Sequence, residues 1–460
     1  KIMFIFLLTD IFFYFIILTL IIYTTYVIKT PDIRETWAYV FRNKTGILSI
    51  VVLSFFILIA LVDSIHIKNK FYDEKTEKYI YNSEIKSLLD IVLMPMHRNS
   101  EKSYSAPFSS HLYSKETVKQ GNNSEIRIYP DLLYKGNHNK YSDDKAYNIS
   151  ITLIISFIKS FFICFLIYML IFYRTLFDSY FNFFLSIKKN NTLYFTILVI
   201  VFISISIYDL SLQYYVLGTD KVGLDVLYKS IKSIRTGILI GTLTTIVMLP
   251  FAIFLGIFAG YVGGFVDDII QYIYTTLNSI PSVLLIASAI LMLQVYMANN
   301  PLDFENIYER ADLRLFFLCM ILGLTSWTGL CRLLRGESMK LREVDYVLAS
   351  KTFGLSKLSI IIRHIIPNIM HIVIITVVLD FSALVLAEAV LSYVNIGVDP
   401  TTFSWGNMIN AARLEMSREP VVWWSLFAAF LFMFILVLFA NLFSDVVRDA
   451  FDPRANKNYE

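Results

Sequence analysis

Asp345-Tyr-Val-Leu-Ala-Ser-Lys-Thr-Phe-Gly354-Leu-Ser-Lys-Leu-Ser-Ile-Ile-Ile-Arg-His364-Ile-Ile-Pro367-Asn368 reads as a helix-forming run, a glycine break, a second amphipathic run and a proline. That order predicts helix, turn, helix, because glycine ends a helix without steric cost and proline marks the next boundary. The chain on either side is apolar for long stretches, so this element stands where a membrane protein needs only a short link. A loop that organised is built to dock something.

The bulk composition supports the membrane setting. Hydrophobic residues make up 56% of the 460 positions and charged residues 17%, against roughly 45 to 50% and roughly 25% in an ordinary soluble domain. Mean hydropathy is +0.60. Cys164, Cys319 and Cys331 all fall in or beside apolar segments, with no CxxC pair and no metal-ligand spacing, so they read as small packing residues. A net charge of +3 implies no nucleic-acid partner.

A spanning helix needs about 20 apolar residues, since about 30 Å of hydrocarbon is crossed at about 1.5 Å per residue. Nine runs qualify: Met3 to Ile28, Ile47 to Ile65, Ile151 to Phe172, Thr192 to Tyr208, Thr236 to Ala259, Ile269 to Met297, Leu313 to Leu330, Ile369 to Ile396, and Val422 to Phe443. Placing the Gly354 loop in the cytoplasm puts 17 basic residues in cytoplasmic segments and 7 in the short outer ones, as the positive-inside rule requires. Residues 261 to 268 run against that rule, with two aspartates and no positive charge. The first run is longer than the apolar core of a secretory signal and lacks a small-residue cleavage site before Lys29 and Pro31, so it is expected to be a retained helix.

The expected fold is therefore an all-α, polytopic transmembrane helical bundle with an external insertion. Its parts are an extra helix and link (1–46), a first core span (47–66), the insertion (67–149), two extra spans (150–216), a core (217–447) holding the loop 332–368, and a tail (448–460). The insertion carries 13 basic and 11 acidic residues and many Tyr, Ser and Asn. Only Ser83 to Met94 shows helical periodicity there, and the aromatic content favours a partly ordered cap over disorder.

Other residues draw a reading of their own. Leu217-Gly-Thr-Asp220-Lys-Val-Gly223-Leu-Asp225 carries turn formers ahead of an amphipathic run to Arg235, expected as an interfacial helix. Gly237 with Gly241, and Gly256 with Gly260, form small faces for close helix approach, with Pro250 between them as a kink. Three acids fall inside spans, where charge is costly: Asp10, expected to reach water, and Asp380 and Glu388. Eight residues at about 100° each bring the last two within about 80° of one another, so they either line a translocation path or bond between helices. No HExxH, nucleophile elbow or phosphate loop occurs, so neither intramembrane catalysis nor ATP hydrolysis by this chain is expected.

From Asn43-Lys44 to Pro453, setting aside the insertion and the two spans after it, the sequence resembles the inner-membrane permease subunits of peptide-type ABC importers, the dipeptide and oligopeptide branch. The pieces, in order, are Trp37 to Lys44; Leu217-Gly-Thr-Asp220 with Gly223 and Asp225; Ala259-Gly-Tyr-Val-Gly-Gly264 with Asp267; Pro281; Asp345 to Pro367; Glu388-Ala-Val-Leu-Ser392-Tyr with Gly397; Ser404-Trp-Gly-Asn-Met408; and Arg448-Asp-Ala-Phe-Asp-Pro453. The resemblance implies that a helix of the Gly354 loop docks into a groove on a cytoplasmic ATPase. The coupling residues would be Asp345, Ala349, Ser350, Lys351, Gly354, Leu355 and Pro367. Leu348 and Ser350 stand where the family pattern has Glu and Ala, which shifts weight from a charged contact to the turn and the apolar face.

The same resemblance implies a multi-pass protein of the bacterial inner membrane that works with ABC ATPase subunits, a homologous second permease subunit and a periplasmic substrate-binding protein. No cofactor is expected in this chain, ATP and Mg being bound by partner subunits. An importer of nickel complexes or glutathione would carry the same motifs, and a stand-alone secondary transporter is the reading from another class.

Overall fold

Hydrocarbon offers no partner to backbone N–H and C=O groups, so an apolar run that crosses it must satisfy them internally, and a helix does so. The computed structural model describes residues 2–73, 78–81, 85–98, 100–120, 124–135, 145–175, 191–300 and 306–451. Among the described residues nine helices are long and apolar enough to cross a membrane. In chain order the helices are α1 (Leu8–Lys29), α2 (Pro31–Arg42), α3 (Lys44–Asp63), α4 (Leu88–Val92), α5 (Met94–His97), α6 (Lys145–Thr175), α7 (Asn191–Ser211) and α8 (Val226–Val262). They continue as α9 (Phe265–Ser279), α10 (Ser282–Asn299), α11 (Ile307–Arg342), α12 (Asp345–Thr352), α13 (Lys357–Tyr393), α14 (Trp405–Glu415) and α15 (Trp424–Phe451). The bundle is all-α; apart from a strand at Ile2–Ile5, the named strands lie in the insertion, including an antiparallel pair of Glu116–Gln120 with Ser124–Ile128. Most of the basic segment 174 to 191 and the tail from 452, with Pro453, lie outside the described residues.

Three expectations are corrected. The run Ile269 to Met297 is not one span: Ile280 is extended (φ −90°, ψ 128°) between α9 and α10, because Pro281 lacks an N–H and disfavours helix at the residue before it. The amphipathic run ending at Arg235 is not a separate interfacial helix but the first turns of the 37-residue α8, which also continues through Pro250. Asp10 is fully buried rather than reaching water. Neighbouring Thr9 gives its backbone N–H to Asp312 of α11 at 3.0 Å, and Phe12 stacks on Phe316 at 5.1 Å, so the Thr9–Asp10 side of α1 is covered by protein while Leu8 and Ile11 stay exposed.

The described chain divides into two compact units, each built from separated segments. One comprises residues 1–4, 38–236 and 403–439. In its core Leu89, Leu93 and Met96 of the insertion pack on Leu227 and Tyr228. Around that core sits a buried ion cluster: Lys232 Nζ is 2.6 Å from Asp63 Oδ1 and 2.9 Å from Asp90 Oδ1. Ser87 donates to Asp63 at 2.6 Å, and Tyr228 to Asp90 at 2.8 Å.

A second set of contacts stitches the insertion to the Gly218–Asp225 turn. Glu101 accepts from the N–H groups of Leu133 and Tyr134, both at 3.0 Å, and Lys135 pairs with the fully buried Asp225 at 3.2 Å. Gly223 has φ +78°, and a Cβ there would lie 1.8 Å from the Glu101 carbonyl oxygen. No side chain fits. The turn formers of this stretch therefore seat the cap.

The other unit comprises residues 5–37, 237–402 and 440–460, the last of these described to 451. Its core joins Met248, Ala252, Ile257 and Ala259 of α8 to Trp327, Leu330, Cys331 and Leu334 of α11. The approach is close because Gly256 and Gly260 face the α11 backbone, where a Cβ would stand 2.8 Å from the Cys331 oxygen and 2.4 Å from the Arg335 oxygen. The small face expected at these two glycines is used, and Gly241 is also closely approached, a Cβ there standing 2.5 Å from the Phe381 ring.

Burial alone would raise the Asp90 carboxyl, but the Lys232 ammonium, the Ser87 N–H and the Tyr228 hydroxyl hold it below its ordinary 3.8. A depressed carboxylate stabilises fully above that value and loses its contribution as pH falls through the lower folded value. Stability should therefore fall below pH 3.8, and Asp90→Asn should flatten that acid limb. Lys232→Met leaves Asp63 and Asp90 without their cation, and should cost about 3 to 5 kcal/mol. Thermal unfolding in detergent across a pH series reads both.

Candidate coupling loop

An eight-residue helix is marginal alone, so α12 depends on what its inner face touches. Val347, Ile360, Ile361 and Ile365 are buried in the α8–α11 core. Ser350 also turns inward; its hydroxyl donates to the Tyr346 carbonyl at 2.8 Å and lies 3.4 Å from His364 Nε2. Asn368 donates to the Tyr346 hydroxyl at 3.0 Å and to the His364 carbonyl at 2.6 Å. Together these contacts tie α12 to the start of α13.

The turn between them is a Schellman cap. Leu355 N–H bonds to the Ser350 oxygen at 3.3 Å and Gly354 N–H to the Lys351 oxygen at 3.1 Å, the 6→1 and 5→2 pattern of that motif. Gly354 sits at φ +80° with nothing within 4 Å of a would-be Cβ, so its role is conformational rather than steric. Ser356 then caps α13 by accepting from the Ser359 N–H at 3.3 Å.

The sequence predicts that Pro367 opens the following span, yet the helix already runs from Lys357. A π turn over Ile361–Ile365 makes this possible, with Ile366 N–H bonded to the Ile361 oxygen. The wider turn gives room where the proline ring would meet the carbonyl four residues back, at Arg363.

Outward-facing apolar residues form a rim interrupted by exposed charged ones such as Asp345 and Lys351. Phe353 is 86% exposed at the tip, with Val344, Tyr346, Leu348, Leu355, Leu358 and Ile362 exposed around it. Asp345, Ala349, Lys351, Gly354 and Pro367 share that exposure. The sequence motif singles out the turn and passes over Phe353, Leu358 and Ile362. Their signal is nonetheless present, since 355, 358 and 362 keep the i, i+3, i+7 spacing of one helix face.

Asp267 answers the charge anomaly of residues 261 to 268. Its carboxylate takes two bonds from Arg335, at 2.5 and 2.7 Å, and the guanidinium holds its pKa below the ordinary value. Its negative charge is thus paired on its own side of the membrane.

The two acids of α13 are separated by environment. Glu388 is buried and accepts from Ser392 at 2.6 Å, near the helix end, whereas Asp380 is half-buried.

Placing a left-handed conformation on an L residue costs about 1 to 2 kcal/mol. Gly354→Ala should therefore speed amide exchange at Leu355 by about 5- to 30-fold, with exchange in the α8–α11 core unchanged.

A family model described as a binding-protein-dependent transport system inner membrane component matches residues 252–457. The dipeptide transport system permease protein of Lactococcus lactis subsp. cremoris is 30% identical over 244 residues, covering 53% of this chain and 65% of that protein. The oligopeptide transport system permease protein of Bacillus subtilis is 29% identical over 240 residues, covering 52% and 72%. That of Mycobacterium bovis is 32% identical over 237 residues, covering 52% and 75%.

Proposed function

This chain belongs to the binding-protein-dependent transport system inner membrane components, and from that premise we propose that it is the permease subunit of an ATP-driven importer of peptides. The observation that carries the mechanism is the two-sided loop. Its inner face is locked into the α8–α11 core and its outer face presents Phe353 in an apolar rim. An amphipathic element of this kind suits a hydrophobic groove on a partner.

The partner in this reading is a separate ATPase subunit. When two ATPase subunits close on ATP, the docked loop moves as one body and carries α11 and α13 with it, opening the path alternately to either side. A substrate-binding protein delivers the peptide, and a homologous second permease subunit completes the path. The peptide assignment is supported by the named transport of the relatives at about this level of similarity.

Phe353 is exposed, so replacing it should leave folding within about 0.5 kcal/mol of the parent. As a central apolar anchor it should weaken ATPase association by about 2 kcal/mol when cut to alanine, roughly 30-fold. Titrating purified Phe353→Ala chain with the ATPase subunit encoded for the same importer measures this. Unchanged affinity contradicts the docking assignment.

A further inference from the structure

The break between α9 and α10 does more than divide a span. Pro281 stands at the N-terminus of α10 with no side-chain cap, beside a groove of about 220 Å3 whose lining joins the polar Asn278, Ser282 and Thr325 to apolar residues that include Leu277 and Leu285. Asn278, Ser279 and Ser282 are exposed.

The depth of this groove follows from α11. Between Arg314 and Arg332 that helix has no charged residue, a length of about 27 Å that matches the hydrocarbon thickness. Thr325 lies about 16 Å along the axis from Arg314 and about 10 Å from Arg332. Thr328, one turn further, donates to Asn278 Oδ1 at 2.9 Å and fixes the broken segment at that level. The Ser279 and Thr325 hydroxyls donate to the Thr276 and Leu322 carbonyls of their own helices. The non-helical backbone at the break and the exposed Asn278 amide, by contrast, face either water or protein at membrane depth, because lipid leaves their hydrogen bonds unmade.

We propose that this groove is a wall of the aqueous path, on the side of the membrane nearer the Gly354 loop, and that it receives the amide backbone of a passing peptide. The assignment of the ligand rests on the transport reading above. The polar groups lining the groove are an amide and hydroxyls, with no charge among the lining residues. They can exchange hydrogen bonds with any peptide unit whatever its side chain, which suits passage without sequence selection. Its volume lies below the roughly 300 to 1,000 Å3 of sites that enclose a whole ligand. A short segment in transit fits it.

Water access is tested by thiol labelling in proteoliposomes with a charged methanethiosulfonate reagent. Cys164→Ala leaves two buried cysteines, and Ser282→Cys, Thr325→Cys and Leu291→Cys are added to it singly. Leu291 is exposed on the apolar α10 and serves as the lipid-facing reference. The expected result is labelling at least about 10-fold faster at both groove positions than at Leu291, as aqueous access requires. Equal rates at all three positions, fast or slow, overturn the proposal; uniformly slow labelling identifies a dry contact with lipid or with a second permease subunit. Labelling needs neither ATP nor an ATPase, so its outcome stands apart from that of the Phe353 experiment.

Discussion

The loop around Gly354 is held by apolar burial on one side only, and the proposed mechanics depend on that asymmetry. Val347, Ile360, Ile361 and Ile365 lie in the α8–α11 core. At about 1.5 to 3 kcal/mol per fully buried side chain, four give roughly 6 to 12 kcal/mol as an upper estimate. Of the four only Val347 belongs to α12; that eight-residue helix, marginal alone, is held by this contact and by the bonds that tie Ser350 and Tyr346 to α13. The same burial leaves Phe353 and its neighbours outside. In the proposed mechanism a loop so held would transmit a push instead of absorbing it.

The unit that carries the insertion is organised differently. There the decisive contacts are buried charges and hydrogen bonds: Lys232 with Asp63 and Asp90, Lys135 with Asp225, and Glu101 with two backbone N–H groups. Such pairs add little net stability over apolar packing but are costly to break singly. Their effect is to hold the cap in one register against the Gly218–Asp225 turn, where Gly223 admits no side chain.

Much of this fold is legible in the amino-acid sequence. Long apolar runs identify spans because the bilayer sets their length, and the Gly354 break and the Gly256–Gly260 face follow from what glycine permits. Pro281 is visible as a residue yet not as a break, since hydropathy is continuous across it and only the backbone of Ile280 reveals the gap. The surroundings of Asp10 and Ser350 escape a sequence reading for one reason: periodicity says which residues share a face, and says nothing of which neighbour covers it. The strands of the insertion lack clean alternation, so their pairing emerges only in three dimensions.

Coupling between the loop and an ATPase is the central claim, and the most direct measurement is peptide-stimulated ATP hydrolysis by the reconstituted importer carrying Phe353→Asp. A charge placed at the tip of the apolar rim must be desolvated on docking, at a cost of several kcal/mol. Stimulation should be lost while the chain inserts normally and resists protease like the parent. Full stimulation with that aspartate in place would contradict coupling through this rim.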